Sequence, residues 1–349
     1  MTLVDPQPGA PAPTAVRVPA VAPAAVPGPG GARHAPPPAS PPRAPGDRVF
    51  AAVTSGAALA VTAATAAIGV FLLWRAIPAL ARNEAGFLTS RRWETVDPHA
   101  LAFGVLDLLQ LTVLVSGFAL LLAMPVSLGV ALLLTSYAPR RLARPLTYAV
   151  DLLAAVPSVV YGMWGLLVLA PAMAPVAGWL NRHLGWLPMF ADGSGSVTGG
   201  GTVLTAGVVL AVMIVPVITG VTREVFAQVP VAHLEAARAL GATRWETVRT
   251  AVLPFGRTGF LSASMLGLGR ALGETMALYL ILQTTSQAFS WSLFDGGSTI
   301  ASKIALGYAE FTDEITAGAY IAIGLVLFVI TFAVNAAARA VIARAGRTR

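Results

Sequence analysis

The chain has 349 residues, of which 56% are hydrophobic and 11% charged, with a mean hydropathy of +0.73. A water-soluble chain of this size carries about 25% charged residues, so one or two soluble globular domains are excluded and a polytopic membrane protein remains. The net charge of +7 does not point to nucleic acid, because the arginines collect between apolar spans instead of forming a stripe on one face.

Residues 1–46 are rich in proline and alanine and lack periodicity, and the runs Pro36-Pro37-Pro38 and Pro41-Pro42 favour extended polyproline backbone. The expectation is a disordered tail. The first apolar run begins only after Arg48, too late for a secretory signal. About 20 apolar residues make a helix able to cross a bilayer. Reading for such runs predicts an all-α membrane protein with six crossings, at 51–74, 108–135, 146–171, 203–221, 259–285 and 316–338.

Orientation follows from the cations between these spans. With the N-terminus inside, the cytoplasmic side receives Arg17, Arg33, Arg43 and Arg48, then Arg140, Arg141 and Arg144, then Arg223, Arg238, Arg244, Arg249 and Arg257, then Arg339, Arg344, Arg347 and Arg349. The other side receives Arg82, Arg91, Arg92, Arg182 and Lys303. This asymmetry predicts both termini in the cytoplasm. Of the outer segments, 172–202 contains the run Gly193-Ser194-Gly195-Ser196, and 286–315 contains the acidic residues Glu310, Asp313 and Glu314. They read either as a landing surface for an extracytoplasmic protein or as solvated connections. Pro125, Pro157 and Pro216 fall inside the second, third and fourth spans, where each removes a backbone hydrogen bond. Asp107 and Asp151 lie near span ends and are expected to be solvated or to cap helices. The chain has no cysteine and its four histidines lack metal-ligand spacing, so no metal site is expected.

The long polar segment 222–258 predicts two short helices joined at Gly241. Pro230 suits the start of the first and Gly241 its left-handed cap. Thr243 and Glu246 form a Thr-x-x-Glu capping box for the second. Leu234, Ala237 and Leu240 on the first helix, and Trp245, Val248 and Val252 on the second, share a helical face, which is expected to press against a neighbour. Within this segment, Glu235-Ala236-Ala237, Gly241 and Leu253-Pro254 resemble the EAA loop of the membrane subunits of ATP-binding-cassette importers, with Ala251 in the slot where that pattern has a larger aliphatic residue. The resemblance implies a transmembrane domain over residues 47–345. It also implies a loop that docks on an ATPase dimer.

The run 267–277 places Arg270 and Glu274 in the fifth span, at helical spacing for a salt bridge. A central arginine costs roughly 2.5–3.5 kcal/mol on insertion scales, so Arg270 is expected to face the bundle interior. Gly269 and Gly273 make a Gly-x-x-x-Gly pair that lets another helix pack closely. The planar guanidinium fits a tetrahedral oxyanion, and a neighbouring carboxylate can accept a hydrogen bond from a protonated one, which favours phosphate over sulfate. A purely structural ion pair is the alternative.

This run, together with residues 156–165 (Val-Pro-Ser-Val-Val-Tyr-Gly-Met-Trp-Gly), resembles the PstC-type permeases of phosphate importers. The resemblance implies a second homologous permease, an ATPase pair, an extracytoplasmic phosphate-binding protein and phosphate as cargo, all in a bacterial plasma membrane. The chain has no phosphate-cradling nucleotide loop, so no cofactor is expected within it, ATP belonging to a partner subunit, and it is not read as an enzyme. Sulfate or molybdate as the anion, a non-transporting scaffold or sensor, and an ion-coupled transporter are the rival readings.

Overall fold

A computed structural model describes residues 45–95, 97, 101–195, 199–283, 288–311 and 313–347. Nearly all of the expected tail lies outside these residues. The chain divides into a short unit up to Ala58, whose described part is helical, and a larger unit, Leu59–Arg349. Helix α1 (Pro45–Arg82) spans the boundary.

In the larger unit, a two-stranded antiparallel ribbon (β1, Trp93–Glu94; β2, Ala102–Phe103) precedes helix α2 (Leu106–Leu132), which ends in a π-helical turn, Leu133–Tyr137. Then follow α3 (Arg140–Ala155), α4 (Ser158–Trp164) and α5 (Ala170–Leu184), the last two joined by a π-helical turn. Helix α6 (Val203–Ala227) leads to α7 (Val231–Ala239), α8 (Arg244–Thr247), α9 (Leu253–Leu272) and α10 (Met276–Ile281). Helices α11 (Ile300–Leu306) and α12 (Glu314–Arg347) complete the chain.

The fold is all-α, as the composition requires. Among the described residues, five helical stretches are long and apolar enough to cross a membrane: Val49–Arg82, Leu106–Tyr137, Ser158–Leu184, Val203–Ala227 and Glu314–Ala340. Two of the six expected crossings need correction. The third, expected at 146–171, lies at Ser158–Leu184, because the ring of Pro157 forces Val156 out of the helical region, to ψ 130°, and ends α3 there. What precedes it is the amphipathic helix α3, which is not among the described helices long and apolar enough to cross. The fifth, expected at 259–285, is divided: α9 stops at Leu272 and α10 starts at Met276.

Helix α6 is the hub, with most of its residues buried. Val209, Leu210, Met213, Ile214 and Ile218 pack against Val115, Ala119 and Ala123 of α2, and Ala263 and Ala271 of α9 join the same core. The Ser127 hydroxyl donates to the Val215 carbonyl at 3.2 Å, tying α2 to α6. Helix α4 is drawn equally close to α10: a Cβ at Gly162 would stand 2.8 Å from the Ala277 Cα, so only glycine fits that approach. A separate apolar cluster around Ala131, Phe226, Val248 and Val252 closes the end that carries α7 and α8. At the other end, Leu101 and Phe103 pack with Ala76, Ala79, Ala319 and Ala322.

Candidate transport path and coupling surface

The α7–α8 hairpin is built as its local signals require. Pro230 is the N-cap of α7, and Gly241 follows the helix with φ +82°, a conformation that costs an L side chain strain. At α8, Thr243 Oγ1 accepts the Glu246 N–H at 3.3 Å, and Glu246 Oε2 accepts the Thr243 N–H at 2.7 Å, completing the capping box. Those bonds from Thr243 hold the Glu246 carboxyl below the usual carboxylate range. The expected inward face is correct for Val248 and Val252, which are buried, and for Leu234, which packs on the same cluster. It is wrong for Leu240 and Trp245, which are 90% and 54% exposed. These two side chains sit at the hairpin turn, where neither helix has a neighbour within this chain to cover them. A shallow hollow of about 470 Å³ beside Leu240 is lined also by His233, Ala236, Ala237, Thr250 and Ala251, so the small side chain of Ala251 leaves room there.

The charged run of the fifth span differs from the expected ion pair. Helix α9 ends at Leu272 with Gly273 as its cap, so Arg270 and Glu274 do not continue on one helical face. Among the described residues, the ion pairs are Arg75–Glu314, Arg91–Asp107 and Arg223–Asp151, and Arg270–Glu274 is not one of them. Glu274 is instead buried, and its Oε1 accepts the Ala277 N–H at 3.1 Å in the first turn of α10. Arg270 lies in the last turn of α9, where a cation complements the helix dipole. It is exposed on the surface of this chain, not enclosed by it, and lines a cavity of about 460 Å³ with Val217, Met265, Leu266, Gly269, Thr331 and Asn335. The Tyr161 hydroxyl of α4 donates to the Leu153 carbonyl at 2.9 Å. Gly269 has no heavy atom within 4 Å of a Cβ built on it, and Gly273 meets only carbonyls of its own turn. The close packing of α9 on α6 is made instead by Gly267, against Ile218.

Residues 123–347 match the family model for binding-protein-dependent transport system inner membrane components. The chain is 55% identical over 296 residues to the phosphate transport system permease protein PstC 2 of Mycobacterium tuberculosis, covering 85% of this chain and 91% of that one. It is 41% identical over 303 residues to the phosphate transport system permease protein PstC of Xylella fastidiosa, covering 86% and 92%. The chain belongs to the PstC-type permeases. A solved structure of the methionine ABC transporter MetNI, inward facing, is 18% identical, covers 67% of this chain and 93% of its own, and has a TM-score of 0.47.

In this PstC-type chain the residues expected on the outer side are mostly engaged in holding the fold. Asp313 accepts the N–H groups of Ile315 and Thr316 at 2.8 and 2.9 Å, which depresses its pKa, the Thr316 bonds contributing most. Glu314 pairs with Arg75 at 3.3 Å, and Glu310 accepts from the Tyr320 hydroxyl. Gly193, Ser194 and Gly195 pack on the backbone of Phe294, Asp295 and Gly296. Asp107 is paired with Arg91 at 3.5 Å and Asp151 with Arg223 at 3.7 Å, so neither is simply solvated. Sequence reasoning placed Asp295 only among the residues of the segment 286–315 and missed its role: it is fully buried and accepts the N–H groups of Ser194, Ser290 and Ser292 and the Ser290 hydroxyl at 2.8–3.0 Å. A lone aspartate beside two glycines carries no local signal of that role.

Proposed function

We infer that this chain is a membrane permease subunit of an ATP-driven importer of inorganic phosphate. The observation that carries the cargo is the 55% identity, along most of both chains, to permeases named for phosphate transport. The inferred complex contains a second homologous permease, an ATPase dimer and an extracytoplasmic phosphate-binding protein, with both termini of this chain in the cytoplasm. Nothing is hydrolysed by the chain itself.

The geometry supplies a mechanism consistent with that reading. The exposed Leu240 and Trp245 form an apolar knob for the ATPase partner, and the buried Val248 and Val252 join the hairpin to the ends of α2 and α6. Rotation of the hairpin therefore moves the hub helix directly. Arg270 is exposed beside the glycines Gly269 and Gly273, so a second permease closing over this face would desolvate the guanidinium and sharpen its attraction for an anion. Its planar donors match a phosphate oxygen pair. Glu274, fixed by Ala277 N–H across the helix break, keeps one further oxygen able to accept the proton that hydrogen phosphate retains and sulfate lacks. Pro125 and Pro216, inside α2 and α6, are the points where these helices can bend as access alternates.

The test is ATP-dependent uptake of labelled phosphate in cells without their own phosphate permease, supplied with this subunit and its partners. Uptake competed by phosphate but not by sulfate or molybdate is expected. Competition by sulfate or molybdate would move the cargo to another oxyanion, and an assembled complex without uptake would favour a scaffold or sensor.

A further inference from the structure

The largest collection of unabsorbed charge lies far along the chain from Arg270, in a cavity of about 570 Å³ between the β-ribbon, the start of α2 and α11. Its walls carry three cations, Arg91, Arg92 and Lys303, and two carboxylates, Glu94 and Asp107. Asp107 is taken by Arg91, whose guanidinium also donates to the Phe289 carbonyl at 3.1 Å. That leaves the balance positive.

Lys303 is the only lysine of the chain, every other basic side chain being arginine. It is half-buried, and among the described residues no carboxylate lies within ion-pair distance of its ammonium, which sits 5.0 Å from the centre of the Trp93 ring. Burial pushes its pKa down, with the more distant Glu310 opposing. Glu310 itself is held by Tyr320 and Thr95. The position of Lys303 is fixed: the Thr299–Ser302 capping box starts α11, and the Thr112 hydroxyl accepts the Ile300 N–H at 3.0 Å, pinning α11 to α2. A rigidly held, half-buried cation with no carboxylate within ion-pair distance among the described residues, facing a cavity with two arginines, is an arrangement that an anion would complete.

We propose that this cavity is an anion subsite separate from Arg270, in which a tetrahedral oxyanion rests against Arg92 and Lys303, with Arg91 behind them. On the phosphate-import reading above, from which the identity of the anion comes, it receives phosphate before the ion reaches Arg270. A binding protein releasing its cargo on this side would then find a basic vestibule already formed.

The single lysine makes the test direct. The assembled importer is treated with a lysine-acylating reagent, and modification of Lys303 is followed by peptide mass spectrometry with increasing inorganic phosphate, sulfate, or chloride at matched ionic strength. Phosphate is expected to slow acylation several-fold and saturably, chloride to have no comparable effect, and Arg92→Gln to raise the half-protecting phosphate concentration about tenfold, the effect of one charge-assisted hydrogen bond. Acylation unaffected by phosphate, or slowed equally by chloride, overturns the subsite. Phosphate uptake by the same complex separates the two readings. Intact uptake with Lys303 unprotected removes the subsite alone, whereas protection and uptake specific to sulfate keep the subsite and remove phosphate as the cargo.

Discussion

Arg270 and Glu274 are four residues apart, yet a glycine cap and a helix break separate them, so their side chains answer to different constraints. Glu274→Gln keeps the oxygen that accepts the Ala277 N–H at 3.1 Å, and the protein is expected to assemble normally. If the carboxylate accepts the phosphate proton, that variant loses phosphate uptake by about tenfold or more, as for loss of a charged hydrogen bond; unchanged uptake would assign Glu274 to capping alone. In the hairpin, Thr243→Ala removes the hydroxyl that accepts the Glu246 N–H while leaving its own backbone N–H on the Glu246 carboxylate, and should destabilise α8 by about 0.5–2 kcal/mol, read as faster amide exchange at Glu246. The same box gives a pH dependence. The Glu246 carboxyl is held below its ordinary value, so its contribution is full above the ordinary carboxylate pKa and disappears as pH falls through the depressed one. Exchange at Glu246 should rise in acid beyond the intrinsic trend, and Glu246→Gln should remove that excess.

Among the elements, the coupling hairpin was legible in the sequence because its signals are local: a proline, a glycine with φ +82° and a Thr-x-x-Glu pair each act over a few residues. Gly241→Pro should abolish association with the ATPase partner, since proline cannot adopt that φ, and normal co-purification would refute it. The α9–α10 break was not legible. The run around Gly273 contains no proline and its Arg270 and Glu274 fall at helical spacing, so continuous helix was the simpler expectation, and only tertiary packing of Ala277 and Leu278 into the core fixes α10 as a separate piece. The displaced third span was readable in principle from Pro157 and the residue before it, but the apolar character of 146–155 masked the helix end. The basic vestibule lay beyond sequence reading, because Arg91, Asp107 and Lys303 meet only through the fold. Packing also makes a prediction here: Gly162→Val places branched carbons where 2.8 Å separates a Cβ from the α10 backbone, and should destabilise the α4–α10 contact by about 1–3 kcal/mol or more, measured as a lower unfolding temperature of the detergent-solubilised complex.

At the scale of the whole molecule, the chain pairs a hub helix, α6, with a hairpin at one end and a set of basic side chains at the other, and Arg270 faces outward between them. Each part is incomplete alone: the hairpin knob is uncovered and Arg270 is unenclosed. That incompleteness is what a subunit of a larger importer presents. The central claim is that motion enters through the hairpin while the anion passes Arg270, two roles in separate places. It is tested most directly by reconstituting the full importer in vesicles and measuring ATP hydrolysis and phosphate uptake together for the native chain and for Arg270→Gln. The account predicts that the variant assembles and still hydrolyses ATP in response to the loaded binding protein, while phosphate uptake falls by at least about a hundredfold, as expected when a desolvated charge contact is removed. Uptake retained in the variant, or ATP hydrolysis lost in parallel with it, would contradict the account.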